Sequence, residues 1–304
     1  MDFNDVIQSL NKDLYPREIE DYSHGVIKSS PKTIHVIGAP RSGTTLLTQL
    51  IASYSNVGYI NNLIAAFYKA PVHGILLSKK LLGTDYVSTF KSNFGSTASI
   101  LEPHEFSYFW KHHLAYKDYT QLPESHNLNI NWEHLKITLA AMEKAFDLPV
   151  LFKSFHLGFH AASVYKYLPN TYFILIKRDP IDNASSILKM RNKLKGSENE
   201  WASFLPQNHQ QLEKEDKFTQ ALWQVNSLNK IYEDQLVNIP KANYKVIDYS
   251  DLQDENTLLD VFNSFSLQQK EGFSYPDIKI RRVSLSAEEK EIYQKAKHKV
   301  LKYL

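Results

Sequence analysis

Gly38-Ala39-Pro40-Arg41-Ser42-Gly43-Thr44-Thr45 joins a β-branched run to a helical pattern. A glycine-bearing turn in that position gathers backbone N–H groups around one point at a helix start, where an anion is the natural occupant. The spacing is that of the nucleotide-phosphate loop G-x-x-x-x-G-K-[ST], with Thr44 where the lysine would stand. A nucleotide kinase needs that lysine on the β/γ phosphates and the next hydroxyl on Mg²⁺, so the departure disfavours phosphoryl transfer from ATP. The cation here is Arg41, three residues earlier, whose planar fork suits a bridging or terminal oxygen. A second unit of the same kind runs from Ile176 to Ser186. Arg178 stands just before Pro180, which fits the first turn of a helix, and Ser186 lies about two turns along it.

Pro40-Arg41-Ser42-Gly43-Thr44-Thr45-Leu46 resembles the 5'-phosphosulfate loop of the PAPS-dependent sulfotransferases, in particular the branch with Pro-Arg-Ser-Gly-Thr-Thr that includes tyrosylprotein and many bacterial enzymes. Arg178 with Ser186 is similar to the family's second motif, an arginine after a strand and a serine eight residues on. The resemblance implies a donor, 3'-phosphoadenosine 5'-phosphosulfate, with adenosine 3',5'-bisphosphate as product and no metal required. It implies that Ser42, Gly43, Thr44 and Thr45 hold the 5'-phosphate and that Arg41 neutralises the bridging oxygen. Arg178 and Ser186 then take the 3'-phosphate. Val246 to Leu252 is similar to the family's Tyr-Glu-Asp-Leu strand end, and Arg281-Arg282 to a late basic pair that reaches the 3'-phosphate in some relatives. The likeness runs from about Thr33 to Ser266.

Sulfonyl transfer needs the acceptor aligned, the leaving phosphate shielded and the acceptor proton removed. His156, in Phe152-Lys153-Ser154-Phe155-His156, resembles the catalytic histidine of the cytosolic Lys-Thr-His motif with one residue inserted, and a one-residue slip at a strand end can turn a side chain away. Other branches use a glutamate. Where the tyrosylprotein-type enzymes carry theirs this chain reads Tyr59-Ile60-Asn61-Asn62, which leaves Leu101-Glu102-Pro103-His104-Glu105-Phe106 as the source. Glu105 and His156 rank level, ahead of Glu102 and His104, while Lys153 is read as a second cation on the transferring group. Lys189 and Arg191 are expected to be solvated. His112-His113 is no metal pair, since adjacent helical residues point about 100° apart.

The elements that must position these groups are short strands alternating with helices. Thr33–Ile37, Pro149–Lys153, Thr171–Ile176 and Tyr244–Asp248 read as buried parallel strands, and 44–54 as a helix. That pattern predicts an α/β, three-layer P-loop NTPase-like fold with a central parallel β-sheet, ligands gathering at the carboxyl ends of its strands. Residues 1–31 read as a flanking arm and 32–304 as a single domain. Within it, 61–147 and 193–240 are helical acceptor-side insertions, and Lys193 to Asn199 is a surface loop. The aromatic cluster Tyr108-Phe109-Trp110 suits a sugar, a phenol or a lipid headgroup as acceptor.

Composition narrows the function. Thirty-five Lys plus Arg against 33 Asp plus Glu give a net charge of +2, too weak a field to argue for nucleic acid. There is no cysteine, which excludes thiolate metal sites and Cys nucleophiles. The polar start, Met1 to Asp5, is no secretion signal and no apolar run approaches the ~20 residues of a spanning helix. Together with the resemblance, which implies the activity, this leaves a cytoplasmic sulfotransferase acting on a hydroxyl or amine of a small-molecule, glycan or lipid acceptor as the expectation. The alternatives are a P-loop kinase-like phosphotransferase and an inactive nucleotide-binding member of the fold.

Overall fold

The computed structural model describes residues 2–22, 30–83, 86, 88–92, 95, 97–116, 130–205, 209–280, 282 and 287–302. In chain order the elements are α1 (Phe3–Tyr22), β1 (Thr33–Ile37), α2 (Thr44–Tyr54), β2 (Gly58–Tyr59), α3 (Asn62–Ala66), α4 (Pro71–Leu82), α5 (Ser107–His113), α6 (Trp132–Phe146) and β3 (Val150–Lys153). They continue as α7 (Phe155–Gly158), α8 (Ala161–Tyr167), β4 (Thr171–Lys177), α9 (Pro180–Lys195), α10 (Lys217–Leu236), β5 (Tyr244–Asp248), α11 (Glu255–Phe265) and α12 (Ala287–Val300).

The five strands pair in the order β2-β3-β1-β4-β5, and every pairing is parallel. Period-two alternation sends successive side chains to opposite faces, and both faces are covered. Ile34, Val36, Leu151, Ile174 and Ile176 pack on one side with the apolar stripes of α2 and α11. Ile37, Phe152, Phe173 and Leu175 pack on the other with α5, α6, α9 and α10. This is the expected α/β sheet layered between helices. His35 sits at its centre, fully buried, stacked on Phe152 at 5.0 Å and bonded to Thr33 Oγ1. Burial pushes its pKa down to about 3, so it packs as a neutral ring.

Several local findings differ from the sequence expectations. β2 is only two residues long, too short to leave a pattern, and it approaches α6 so closely that a Cβ on Gly58 would lie 2.2 Å from the Phe146 ring. The stretch read as a flanking arm contains α1, tied down where Asn11 bonds Ala66 and Lys69, and where Glu18 accepts from the Val72 amide at the start of α4. The loop expected from Lys193 begins later: α9 runs to Lys195 and stops at Gly196, φ 73°, a left-handed cap. Arg191 is a further correction, because it is fully buried rather than solvated, bonded to Gln220 and Gln224 of α10 with its guanidinium over Trp201. Phe109 and Trp110, expected toward the acceptor, are core side chains; Trp110 stands edge-on to Phe152, and only Tyr108 of that cluster is exposed. Among the described residues no helix is long and apolar enough to cross a membrane.

Candidate active site

Because β3, β1 and β4 are adjacent and parallel, the segments leaving their carboxyl ends share one edge of the sheet. Val36 pairs with Lys153, and Ile37 with Leu175. The 38–43 loop, Lys153 and Arg178 therefore emerge within one or two strand spacings of each other. The loop is tight. A Cβ on Gly38 would lie 2.6 Å from the Ile176 carbonyl, and one on Gly43, at φ 107°, 2.4 Å from the Tyr249 ring. Arg41 itself has φ 68°, a strained conformation for a residue with a side chain, of the kind that gathers at functional turns. Ser42 is fully buried, and its hydroxyl has no hydrogen-bond partner among the described residues.

The two arginines expected in separate anion pockets meet. Arg178 Nη1 donates to the Arg41 carbonyl at 3.3 Å, and Arg41 Nε donates to Ser186 Oγ at 3.1 Å. The Arg178 guanidinium lies 4.9 Å from the centre of the Tyr249 ring, which packs on Gly43. Burial, then the charge of Arg178, pushes the Arg41 pKa down, opposed by Tyr249 and Glu105. Two like charges held together in a half-buried cleft are relieved by an anion between them. α9 contributes by its start: Asp179 caps it through the amides of Ile181 and Asp182, and Pro180 opens it. Of the residues read as solvated, Lys189 is exposed. Arg282 is exposed, and Arg281 lies outside the described residues.

Across the cleft, Glu105 forms an ion pair with Lys153 Nζ at 3.0 Å. Lys153 also donates to the Gly95 carbonyl at 2.9 Å, which accepts from Thr45 Oγ1 as well. Burial alone would raise the Glu105 carboxyl, but Lys153, by its charge and hydrogen bond, outweighs it with help from His104 and His156 and holds the pKa below its usual value. His104 aims this segment, since its Nδ1 accepts from the Phe106 amide at 2.9 Å, while Phe106 takes φ 56° to start α5.

The other base candidates are placed differently. Glu102 is buried and accepts from Gln49, Tyr86, Ser88 and Thr89. It is a knot that ties Tyr86, Ser88 and Thr89 to Gln49 of α2, not a group facing a substrate. His156 is fully buried in an aromatic nest, stacked on Phe155 at 4.2 Å and edge-on to Phe204. Ser154 caps α7 at that point, so the chain turns inward before His156 is reached. The cleft is lined by Arg41, Gly43, Thr44, Thr45, Glu105 and Arg178, and also by Phe155, Met190, Phe204, Tyr232 and Tyr249, which sequence reasoning did not assign. Tyr249 lay inside a quoted strand-end motif and Phe155 inside the quoted Lys153 to His156 segment; the others belong to no local pattern.

The sequence from residue 31 to 258 matches the model of the Sulfotransferase family. The chain belongs to the sulfotransferase family. Among solved structures, this sulfotransferase resembles STF9 from Mycobacterium avium, with 13% identity, a TM-score of 0.55 and coverage of 83% of this chain and 68% of that one. Sulfotransferase STF1 from Mycobacterium tuberculosis H37Rv gives 12% identity, a TM-score of 0.52 and coverage of 85% and 73%. At such identities the likeness is one of fold. No curated protein matches the sequence. Among the described residues, no cluster of three or more His, Asp or Glu is placed to hold a metal ion.

Proposed function

We propose that this member of the family transfers a sulfonyl group from 3'-phosphoadenosine 5'-phosphosulfate to a hydroxyl or amine, with Glu105 as general base. The observation that carries the reading is the convergence of Arg41, Arg178 and Ser186 in one cleft above a phosphate-type loop. The residues fit such a donor on two counts. The Ser42 hydroxyl is an orphaned buried donor at the base of the loop, and Gly38 and Gly43 leave bare backbone where a Cβ has no room. When bound, the donor supplies a sulfonyl group on a phosphoric–sulfuric anhydride.

The chain's own residues do the rest. The amides and hydroxyls from Ser42 to Thr45 hold the 5' side, and Arg178 with Ser186 holds the 3'-phosphate. Arg41, which touches both Ser186 and Arg178, would supply positive charge to the leaving phosphate. Lys153, ion-paired to Glu105, keeps it ionised, so the carboxylate can take the acceptor proton at neutral pH, and its ammonium would be the second cation for the transferring group. Of the level-ranked bases, Glu105 is preferred because it lines the cleft. The 32–304 region acts as one domain with its helical insertions on the acceptor side. Calorimetry with adenosine 3',5'-bisphosphate tests the donor assignment: binding independent of Mg²⁺ is expected, whereas Mg²⁺-dependent binding of ATP in its place supports a kinase.

A further inference from the structure

Away from the cleft, and sharing no lining residue with it, a cavity of about 190 Å³ lies between α1 and α6. Tyr15 and Glu18 line it from one face of α1, and His134, Ile137 and Ala141 from one face of α6, because residues three and four apart share a helix face. His113, the last residue of α5, and Lys69, in the turn before α4, complete the wall. Imidazoles gather here. His113 stacks on His134 at 5.2 Å and 22°, His112 stands edge-on to His113 at 5.1 Å, and Tyr15 edge-on to His112 at 5.5 Å. Glu18, the one carboxylate among the described lining residues, is already committed to the start of α4. It accepts from the Val72 amide at 2.6 Å and the His73 amide at 3.3 Å, and it holds His73 Nδ1 at 2.5 Å.

The cavity is therefore short of negative charge. Burial, then Lys69 and His134, pushes the His112 pKa down; burial, then His112 and His134, pushes His113 well down; burial lowers His134. The remaining titratable neighbours do not relieve this: Glu18 faces His73, and Tyr22 stands edge-on to His73 at 5.3 Å. An anion entering the cavity would meet the Lys69 ammonium and allow the imidazoles to take up a proton. The rest of the wall narrows the ligand further. Ile137 and Ala141, one turn apart, offer an apolar surface, and an apolar cavity of roughly 150 Å³ already admits benzene. A few polar groups at one end of an apolar pocket are the usual form of a small-molecule site.

We infer that this cavity is a second binding site, for a small carboxylate with an apolar body: the carboxylate lies between Lys69, His113 and His134, and the body against Ile137 and Ala141. The site is independent of the proposed reaction, and its failure leaves that reading intact. The test titrates benzoate into the intact protein by calorimetry, with benzamide as the uncharged isostere and inorganic sulfate as the anion without an apolar body. Runs at pH 6 and pH 8, in buffers of different ionisation enthalpy, report the protons taken up. Expected are benzoate binding with net proton uptake, about tenfold tighter at pH 6 than at pH 8, and no benzamide binding. Sulfate binds more weakly than benzoate. In Lys69→Met, benzoate affinity falls about tenfold, the size of one charge-assisted hydrogen bond lost, with the circular dichroism spectrum unchanged. Should that variant fail to fold, proton uptake and the two control ligands decide the matter in the wild-type protein. Absence of benzoate binding, binding without proton uptake, benzamide or sulfate binding as tightly, or equal benzoate affinity in a folded Lys69→Met overturns the inference.

Discussion

The two sides of the cleft are built in different ways. On the side proposed for the donor the groups are backbone amides, hydroxyls and guanidiniums at the tips of β1 and β4, and the pairing of Ile37 with Leu175 fixes their spacing. On the opposite side, proposed for the acceptor, Glu105, Lys153, Phe204 and Tyr232 come from four separate segments. Strand register leaves the first arrangement little freedom. Side-chain packing leaves the second freer to vary, as expected where function is grafted onto a shared fold.

That contrast is tested first at Glu105, where the largest effect is expected. Glu105→Gln keeps the shape of the side chain and removes the base; turnover over a panel of hydroxyl acceptors should fall about 10³-fold with bisphosphate affinity unchanged. The pH profile sharpens the point. A carboxyl held below its usual value is ionised at neutral pH, so the acid limb of the rate should lie below the usual carboxylate range. Lys153→Met removes the largest opposition to burial, which moves the limb upward. A limb that stays in place in Lys153→Met would show that Glu105 is not the titrating base.

Arg41→Ala probes the seam between the halves. Turnover should drop about 10²-fold, and bisphosphate affinity by less than about tenfold, because Arg178 and Ser186 remain. A greater loss in affinity than in turnover would mean that Arg41 belongs to the static grip and not to the reacting centre. The smallest effect is structural. Glu102→Gln unbalances a fully bonded carboxylate and should cost about 1–3 kcal/mol of stability, read by denaturant unfolding. Burial would raise the Glu102 pKa, but hydrogen bonds from Gln49, Thr89 and Tyr86 hold it below its usual value. Its contribution is thus present above the unfolded carboxyl's pKa and lost as pH falls through the folded one. Equal stability of the two proteins at neutral pH would show that the knot holds nothing.

The sequence was most readable where structure is local. The runs at Thr33–Ile37 and Tyr244–Asp248 matched their strands end for end, and the loop after β1 was visible because phosphate-binding backbone needs glycines at fixed offsets. Glu105 ranked ahead of Glu102, three residues before it, but the sequence showed the partners of neither. What separates them is that Gln49, Tyr86, Ser88 and Thr89 converge on one and Lys153 on the other. Arg191 misled for the same reason, since its partners Gln220 and Gln224 lie on a different helix.

The central claim is that one nucleotide is gripped at both of its phosphates by guanidiniums from adjacent strand tips. It is tested most directly by the affinity gap between adenosine 3',5'-bisphosphate and adenosine 5'-monophosphate, measured by calorimetry in the wild-type protein and in Arg178→Ala. The account predicts that the bisphosphate binds about 10–100-fold tighter to the wild type, as a charge-assisted pair should contribute, and that the gap closes in Arg178→Ala. Equal affinities for the two nucleotides in the wild type, or a gap that survives removal of Arg178, would contradict it.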